Sequence, residues 1–348
     1  MKSVRIVGSG LIGTSIALAL SHKGVSCQMV DSDHRAQDLA QDLVSPHNGH
    51  PVELVIFSTP LSALGDVMSH EFALNPQAGF IDVGSTKVKP RQVVDASVIP
   101  LSRFCLTHPM AGREIGGPES AQGDLFEGRV WVCDSRGVDA DVVALVSELI
   151  EMCGAIKVEM FSDEHDQAVA LISHLPQIIS SLLAKQLNSG SEEALALAGS
   201  GLRDTVRIAA SDPRLWAEII TANSSALKPL LISFARDLEE LIGSLEDGRA
   251  IERIIDEGRK GKERIPGKHG GKARPYTYVP IVIDDRPGQL HKIMTECAHL
   301  NVNIEDLAIE HSPGQEKGLI TLAVSAGDAQ RISEHLKSQG WSVHSWRS

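Results

Sequence analysis

Val4-Arg5-Ile6-Val7-Gly8-Ser9-Gly10-Leu11-Ile12-Gly13 decides how the first part of this chain folds. A short run of strand composition ends in a glycine triplet, and a helical pattern follows over residues 11–20. Gly8 permits a tight turn, Gly10 lets the backbone approach a pyrophosphate, and Gly13 allows helix to pack closely on strand. The helix N-terminus, headed by Leu11 and Ile12, offers free N–H groups and positive dipole to phosphates. A glycine triplet alone is a weak signal, because many structural turns match it. Here a second strand over residues 26–30 ends at Asp31. A carboxylate there accepts from both ribose hydroxyls and repels a 2′-phosphate. These residues imply a Rossmann-type dinucleotide site that takes NAD over NADP, with Arg35 nearby working against that preference.

Working outward, further strands are expected at 54–58, 80–83, 103–107 and 130–133. Most of the intervals are long enough for helical crossovers, so residues 1–160 read as an α/β domain on a mainly parallel sheet. From about Asp163 the strand signals stop. Ala168, Leu171, Ile172, Leu175, Ile178, Ile179, Leu182 and Leu183 then form a helical stripe, and residues 161–257 read as an all-α domain. Residues 258–275 carry five glycines among Lys and Arg and read as a linker, the alternative being an anion-binding basic patch. Residues 276–348 follow a βαββαβ order, a third domain of ferredoxin-like type.

Composition narrows the function classes. A chain of 348 residues with 42% hydrophobic and 22% charged residues is expected to be a soluble protein of two or three domains. Its formal net charge of −12 disfavours nucleic acid and anionic membrane surfaces as partners. The longest apolar stretches fall short of a membrane span, and Met1 leads into a strand, so neither a span nor a secretory leader is expected. Cys27, Cys105, Cys133, Cys153 and Cys297 lack metal-ligand spacing. They read as buried free thiols, which points to the cytoplasm and to no metal site.

Three motifs sit at expected strand ends, where open α/β sheets bind ligands: Ser58-Thr59-Pro60, Gly84-Ser85-Thr86-Lys87, and Thr107 through Gly112 with His108 at its head. His108 is the natural proton acceptor among them, as the side chain that titrates nearest neutrality. The bland alternative is a histidine that anchors a turn. His108-Pro109-Met110-Ala111-Gly112-Arg113-Glu114 resembles the HPxxGxE segment of prephenate dehydrogenases, and Asp82 through Lys87 resembles their D-x-G-S-x-K turn. Ile172-Ser173-His174-Leu175-Pro176 resembles their SHLP helix. Thr205 through Ala209, with Ser211-Asp212-Pro213 and Trp216, resembles their substrate-arginine segment. The resemblance covers roughly residues 1–255.

That resemblance implies oxidative decarboxylation of prephenate with NAD in tyrosine biosynthesis, by a homodimer. It casts His108 as base, Ser85 as its hydrogen-bonding partner and Arg207 as the clamp on a substrate carboxylate. Gly8, Gly10, Leu11, Ile12, Gly13, Asp31, Ser58, Thr59 and Pro60 would hold the cofactor. Pro176 should kink the helix near His174, which either faces the cleft or is a core histidine. Glu114 either contacts substrate or starts a helix. Many prephenate-specific members carry a second histidine where this chain has Gln177, so arogenate stays open as substrate. A β-hydroxyacid dehydrogenase and a non-catalytic nicotinamide- or amino-acid-sensing protein are the more distant rivals.

In the last domain, Asp284-Asp285-Arg286-Pro287-Gly288-Gln289-Leu290 resembles the D-R-P-G-x-L turn of ACT domains, and Asn301-Val302-Asn303-Ile304 their second-strand entry. The resemblance implies that L-tyrosine binds at Asp285, Arg286, Pro287, Gly288, Leu290, Asn301 and Asn303, or else that the domain only dimerises. Inhibition is the expected sign.

Overall fold

The computed structural model describes residues 1–44, 49–113, 115–265, 276–310 and 316–344. They fall into two units, Met1–Asp237 and Leu238–Ser348. The first is built on a seven-stranded sheet of β1 (Ser3–Val7), β2 (Ser26–Val30), β3 (Leu54–Phe57), β4 (Gly79–Asp82), β5 (Phe104–Pro109), β6 (Val130–Asp134) and β7 (Ile156–Glu159). The order is β2-β1-β3-β4-β5-β6-β7, and every neighbouring pair is parallel except β5 with β6. Helices α1 (Leu11–Ser21), α2 (His34–Asp42), α3 (Leu61–Leu74), α4 (Val88–Asp95) and α5 (Ala140–Met152) provide the parallel crossovers. Strand order reverses direction between β1 and β3, where such sheets leave a crevice past their carboxyl ends.

β3 is apolar throughout, and β4 and β5 open with apolar runs, because both faces of the sheet are covered there. In β3, Leu54 and Ile56 join one buried cluster while Val55 and Phe57 join the other. Phe57 stacks 6.2 Å from Phe80 and 6.0 Å from Phe104. Burying a ring of this size contributes about 2–3 kcal/mol. β7 goes beyond the six expected strands. It is an edge strand in which Ile156 and Val158 alternate with Lys157 and Glu159, so it lacks the apolar run of the others.

The helical part of the first unit starts with α6 (Ser162–Val169), a π turn (Ala170–His174) and α7 (Leu175–Gln186). Asp134 seats α6 by accepting the Ser162 N–H at 2.8 Å and its hydroxyl at 2.6 Å. Pro176 has no N–H for the Ile172 carbonyl, and the chain just before it widens into the π turn. Where a kink is expected at Pro176, the helical run continues through it with this π turn. Short helices α8 (Glu192–Ala196) and α9 (Ser200–Val206), a 3-10 turn (Arg207–Ala210), α10 (Pro213–Ala222) and α11 (Ser224–Gly243) follow, the last crossing into the second unit.

Two expectations for this region change. The apolar stripe is largely the outer face: Leu171, Ile172 and Leu182 are at least half exposed, whereas His165, Asp166, His174, Gln177 and Ser180 are buried. Together Ser162–Ser189 make one helical run long and apolar enough to cross a membrane by length and hydropathy alone, longer than the sequence suggested. Its buried polar side chains all hydrogen-bond to other protein elements, which is how a helix packs on protein rather than on lipid.

In the second unit, α12 (Gly248–Glu263) runs through Gly258 and Gly261, so the first six residues of the expected linker are helical. Ion pairs from Arg259 to Asp256 and Glu263, and from Lys260 to Asp256, support it. Each contributes roughly 0.2–0.5 kcal/mol against the cost of the glycines. Residues 266–275 lie outside the described residues. The remainder is β8 (Thr277–Asp284), α13 (Gln289–His299), β9 (Asp306–Glu310), β10 (Lys317–Val324), α14 (Ala326–Ser338) and β11 (Ser342–Val343), a βαββαβ order on an antiparallel sheet β11-β8-β10-β9. Val279, Ile281 and Ile283 alternate into a core with Ile320, Leu322 and Val324, closed by Ile293 and Ile332 of the helices. All five cysteines are free and buried.

Candidate active site

At the carboxyl end of β1, Gly8 adopts a φ of 109°, and a Cβ there would lie 2.3 Å from the Ser58 carbonyl oxygen. A Cβ on Gly13 would lie 2.1 Å from the Gly8 carbonyl oxygen. Neither position admits another residue without moving backbone. Gly10 meets nothing within 4 Å, and α1 starts beside it without a side-chain cap. Open space therefore adjoins first-turn N–H groups, the arrangement that receives phosphate. Asp31 fixes this loop: its Oδ2 accepts the Ser9 N–H at 2.6 Å and its Oδ1 the Asp33 N–H at 2.9 Å.

A cavity of about 260 Å³ lies along the same sheet edge. Ile12, Ser58, Thr59 and Pro60 line one part of it, Gly84 and Ser85 another, and Leu215, Glu218 and Ile219 of α10 close it. The buried hydroxyls of Ser9 and Thr59 have no hydrogen-bond partner among the described residues. Leaving such groups unpaired costs about 1–3 kcal/mol each, and a nucleotide rich in amide and hydroxyl groups would satisfy them. The residues present fit a dinucleotide.

Beyond the cavity, Lys87 is 1% exposed and donates to Asp82 Oδ2 and to the Thr107 carbonyl. Asp82 also accepts N–H groups of Gly84 at 3.1 Å and Thr107 at 3.2 Å. Removing one partner of a buried pair like this costs about 3–5 kcal/mol. The pair locks the turn from which Ser85 lines the cavity.

His108 lies within β5, one residue before its end, rather than just past it. Its Nδ1 is 2.8 Å from His165 Nε2, and the rings meet edge to face. His165 Nδ1 lies 2.9 Å from Asp166 Oδ1. Asp166 also caps α4 from outside, accepting the N–H groups of Lys87 at 2.7 Å and Val88 at 2.9 Å. A carboxylate only accepts, so His165 keeps its proton on Nδ1 and receives one at Nε2 from His108 Nδ1. His108 Nε2 is left as the basic nitrogen. Burial, with smaller contributions from His165, Lys87 and His174, holds the His108 pKa well below its ordinary 6.5. The ring is neutral at neutral pH, as a general base requires. No Ser85–His108 hydrogen bond occurs among the described residues; the ring is oriented from His165 instead.

His174 is 1% exposed, with Nδ1 3.1 Å from Asn223 Nδ2 and Trp216 edge-on at 6.1 Å. The same Asn223 amide donates to the Asp166 carbonyl at 2.7 Å, which joins this cluster to the His108 chain. Burial lowers the His174 pKa to about 4, with Asp166 opposing. Arg207 heads the 3-10 turn, is exposed, and does not line the cavity. Backbone on both sides of it is pinned by α7: Gln177 Nε2 donates to the Ile208 carbonyl at 2.9 Å, and Ser180 to that of Thr205 at 2.8 Å. Glu114 lies outside the described residues.

His165, Asp166, Asn223 and Glu218 escaped sequence reasoning. A His-Asp doublet in an amphipathic helix is an ordinary solvated pair by composition. The available signal was register, since 166, 170, 174 and 177 fall on one face at helical spacing.

In the last sheet, Gly288 at φ 88° starts α13, and the Asp285 N–H donates to Glu316. Asn301 has a φ of 51°, and Asn303 donates to Glu305 at 2.8 Å. β8 and β9 both pair antiparallel with β10, so Asn301 and Asn303 stand where β8 begins while Asp285, Arg286, Pro287, Gly288 and Leu290 stand where it ends. The 11 residues of α13, about 16 Å of helix, separate the groups. One copy of the chain does not gather them.

Residues 5–159 match the family model described as the prephenate dehydrogenase nucleotide-binding domain, and residues 161–255 match its dimerization domain. The Streptomyces niveus protein NovF, named as a probable prephenate dehydrogenase, is 30% identical, covering 99% of this chain and all of that one. The Aquifex aeolicus prephenate dehydrogenase structure with hydroxyphenyl propionate and NAD+ is 24% identical, with a TM-score of 0.65 over 76% of this chain and 98% of its own. The Synechocystis arogenate dehydrogenase structure is 26% identical, with a TM-score of 0.61 over 75% of this chain and 98% of its own. Two domain matches in order and a relative matched along its whole length place the chain in the prephenate dehydrogenase family.

Proposed function

We propose that this chain oxidises prephenate to 4-hydroxyphenylpyruvate and carbon dioxide with NAD as acceptor. The carrying observation is the His108–His165–Asp166 chain, which leaves one neutral imidazole nitrogen at the sheet edge that also bears the cofactor cavity. NAD, when bound, would supply the acceptor for the hydride from C4 of the ring. His108 Nε2 removes the C4 hydroxyl proton as the carbonyl forms, and holds it. Loss of the ring carboxylate as carbon dioxide then sends an electron pair into the ring, and the proton returns from His108 to the new phenolic oxygen. Ser85 supplies a hydroxyl for the C4 oxygen. Arg207, on a turn fixed by Gln177 and Ser180, offers its fork to a substrate carboxylate. His174 holds Asn223 and hence Asp166 in place. For cofactor choice, Asp31 favours NAD, with Gly8, Gly10, Leu11, Ile12 and Gly13 around the pyrophosphate and Ser58, Thr59 and Pro60 near the nicotinamide.

The outward Leu171, Ile172, Leu182 and Leu197 support a homodimer through the helical domain, as its family description suggests. The last sheet we read as an ACT domain that binds L-tyrosine between paired copies. A two-fold axis would set the Gly288 turn of one against the Asn301 loop of the other. Five free thiols fit a cytoplasmic enzyme. Arogenate is the second substrate reading, favoured by Gln177, whose amide is committed to Ile208, and by the Synechocystis relative. Following NADH absorbance with each substrate alone decides between them. Turnover of prephenate at least tenfold above arogenate, about 1.4 kcal/mol of selectivity, is expected. Absorbance change with neither substrate would leave a binding protein without turnover.

A further inference from the structure

We propose that Glu218 makes the cofactor cavity prefer oxidised NAD+ to NADH. The inference rests on reading that cavity as the nicotinamide site. Glu218 projects from α10 into its wall, and its Oε1 accepts the Ser62 N–H at 2.6 Å, at the start of α3. Its other oxygen has no hydrogen bond or ion pair among the described residues. The one other acidic side chain lining the cavity is Asp82, and buried Lys87 offsets that charge. The wall therefore carries one carboxylate without a cationic partner, softened only by the partial positive end of α3.

A nicotinamide ring is cationic when oxidised and uncharged when reduced. The attraction of Glu218 is thus present before hydride transfer and absent after it. For charges roughly 7 Å apart at an effective dielectric of about 20, partly screened, this amounts to about a tenfold preference. The same asymmetry helps product leave, and irreversible loss of carbon dioxide keeps the reaction moving forward despite it.

Glu218→Gln keeps an acceptor for the Ser62 N–H and removes only the charge. The full chain and this variant are titrated with NAD+, NADH and ADP-ribose, which lacks the nicotinamide. The variant should bind NAD+ about tenfold more weakly, with NADH and ADP-ribose within about twofold. Glu218→Asp, which retains charge but shortens the reach to Ser62, should keep the wild-type ratio of NAD+ to NADH affinity. Equal weakening of all three ligands in Glu218→Gln would make Glu218 a mere latch on α3, and an unchanged ratio would remove it from the cofactor's field; either overturns the proposal. A wild type that binds none of the three overturns the cofactor reading itself, and this inference with it.

Discussion

In the proposed mechanism His108 owes its readiness to its neighbours more than to its own chemistry. An exposed histidine is partly protonated near neutrality, whereas this one is partly buried, and desolvation with the charges of His165, Lys87 and His174 keeps it neutral. His165 also fixes the tautomer, by offering Nε2 as an acceptor while Asp166 holds its other proton. Asp31 likewise does two things at once. Its position after β2 suits a ribose, and its two oxygens already hold Ser9 and Asp33. Asp31→Ser should therefore raise the Michaelis constant for NAD by roughly tenfold or more while changing that for NADP far less, since charge repulsion is relieved as a hydrogen bond is lost. A variant with the wild-type ratio of NAD to NADP efficiency would leave Asp31 as a loop anchor only.

Among the elements, the α6–π–α7 run separates what sequence reveals from what it hides. Gly8 and Gly13 were legible because a Cβ at either would strike backbone, and that constraint prints itself as glycine. Strands β1 to β6 were legible because burial on both faces demands apolar runs. The helical run was legible as a helix but not in its orientation, because its apolar residues face outward and its polar ones inward. Periodicity alone assigns the apolar face to the core. Arg207 was singled out by motif, while the Gln177 and Ser180 bonds that pin its turn depend on pairing between distant segments. Asn223 is the hub of these inward polar groups, with one amide nitrogen serving both Asp166 and His174. Asn223→Ala leaves His174 Nδ1 buried and unpaired, while the Asp166 carbonyl keeps the Ala170 N–H, and should lower unfolding free energy by about 2 kcal/mol. Denaturant titration measures this; a loss below about 0.5 kcal/mol would mean that water replaces the amide.

For the whole molecule, the family models cover residues 5–159 and 161–255, and the last sheet stands beyond them as a compact unit with its own core. Nothing in the chemistry assigned to His108, Ser85 and Arg207 requires it, which is why regulation is its proposed task. Any response needs tyrosine to bind one arrangement more tightly than another. Gly288→Val, strained at a φ of 88°, should weaken inhibition by tyrosine about tenfold and leave turnover without tyrosine within about twofold. An inhibition curve identical to wild type would move the sensing site elsewhere. What joins residue, helix and whole enzyme is His108 as a base kept neutral by burial, and kcat/KM for prephenate against pH, in wild type and His108→Asn, tests it most directly. Because protonation of the free enzyme abolishes the base, and the pKa lies well below 6.5, wild type should stay level through neutrality and fall only on the acid side of pH 6.5. His108→Asn should be about 10²- to 10⁴-fold slower and lack that limb. A wild-type limb centred at or above pH 6.5, or a His108→Asn variant of near-normal activity with the same limb, would contradict His108 as the proton acceptor.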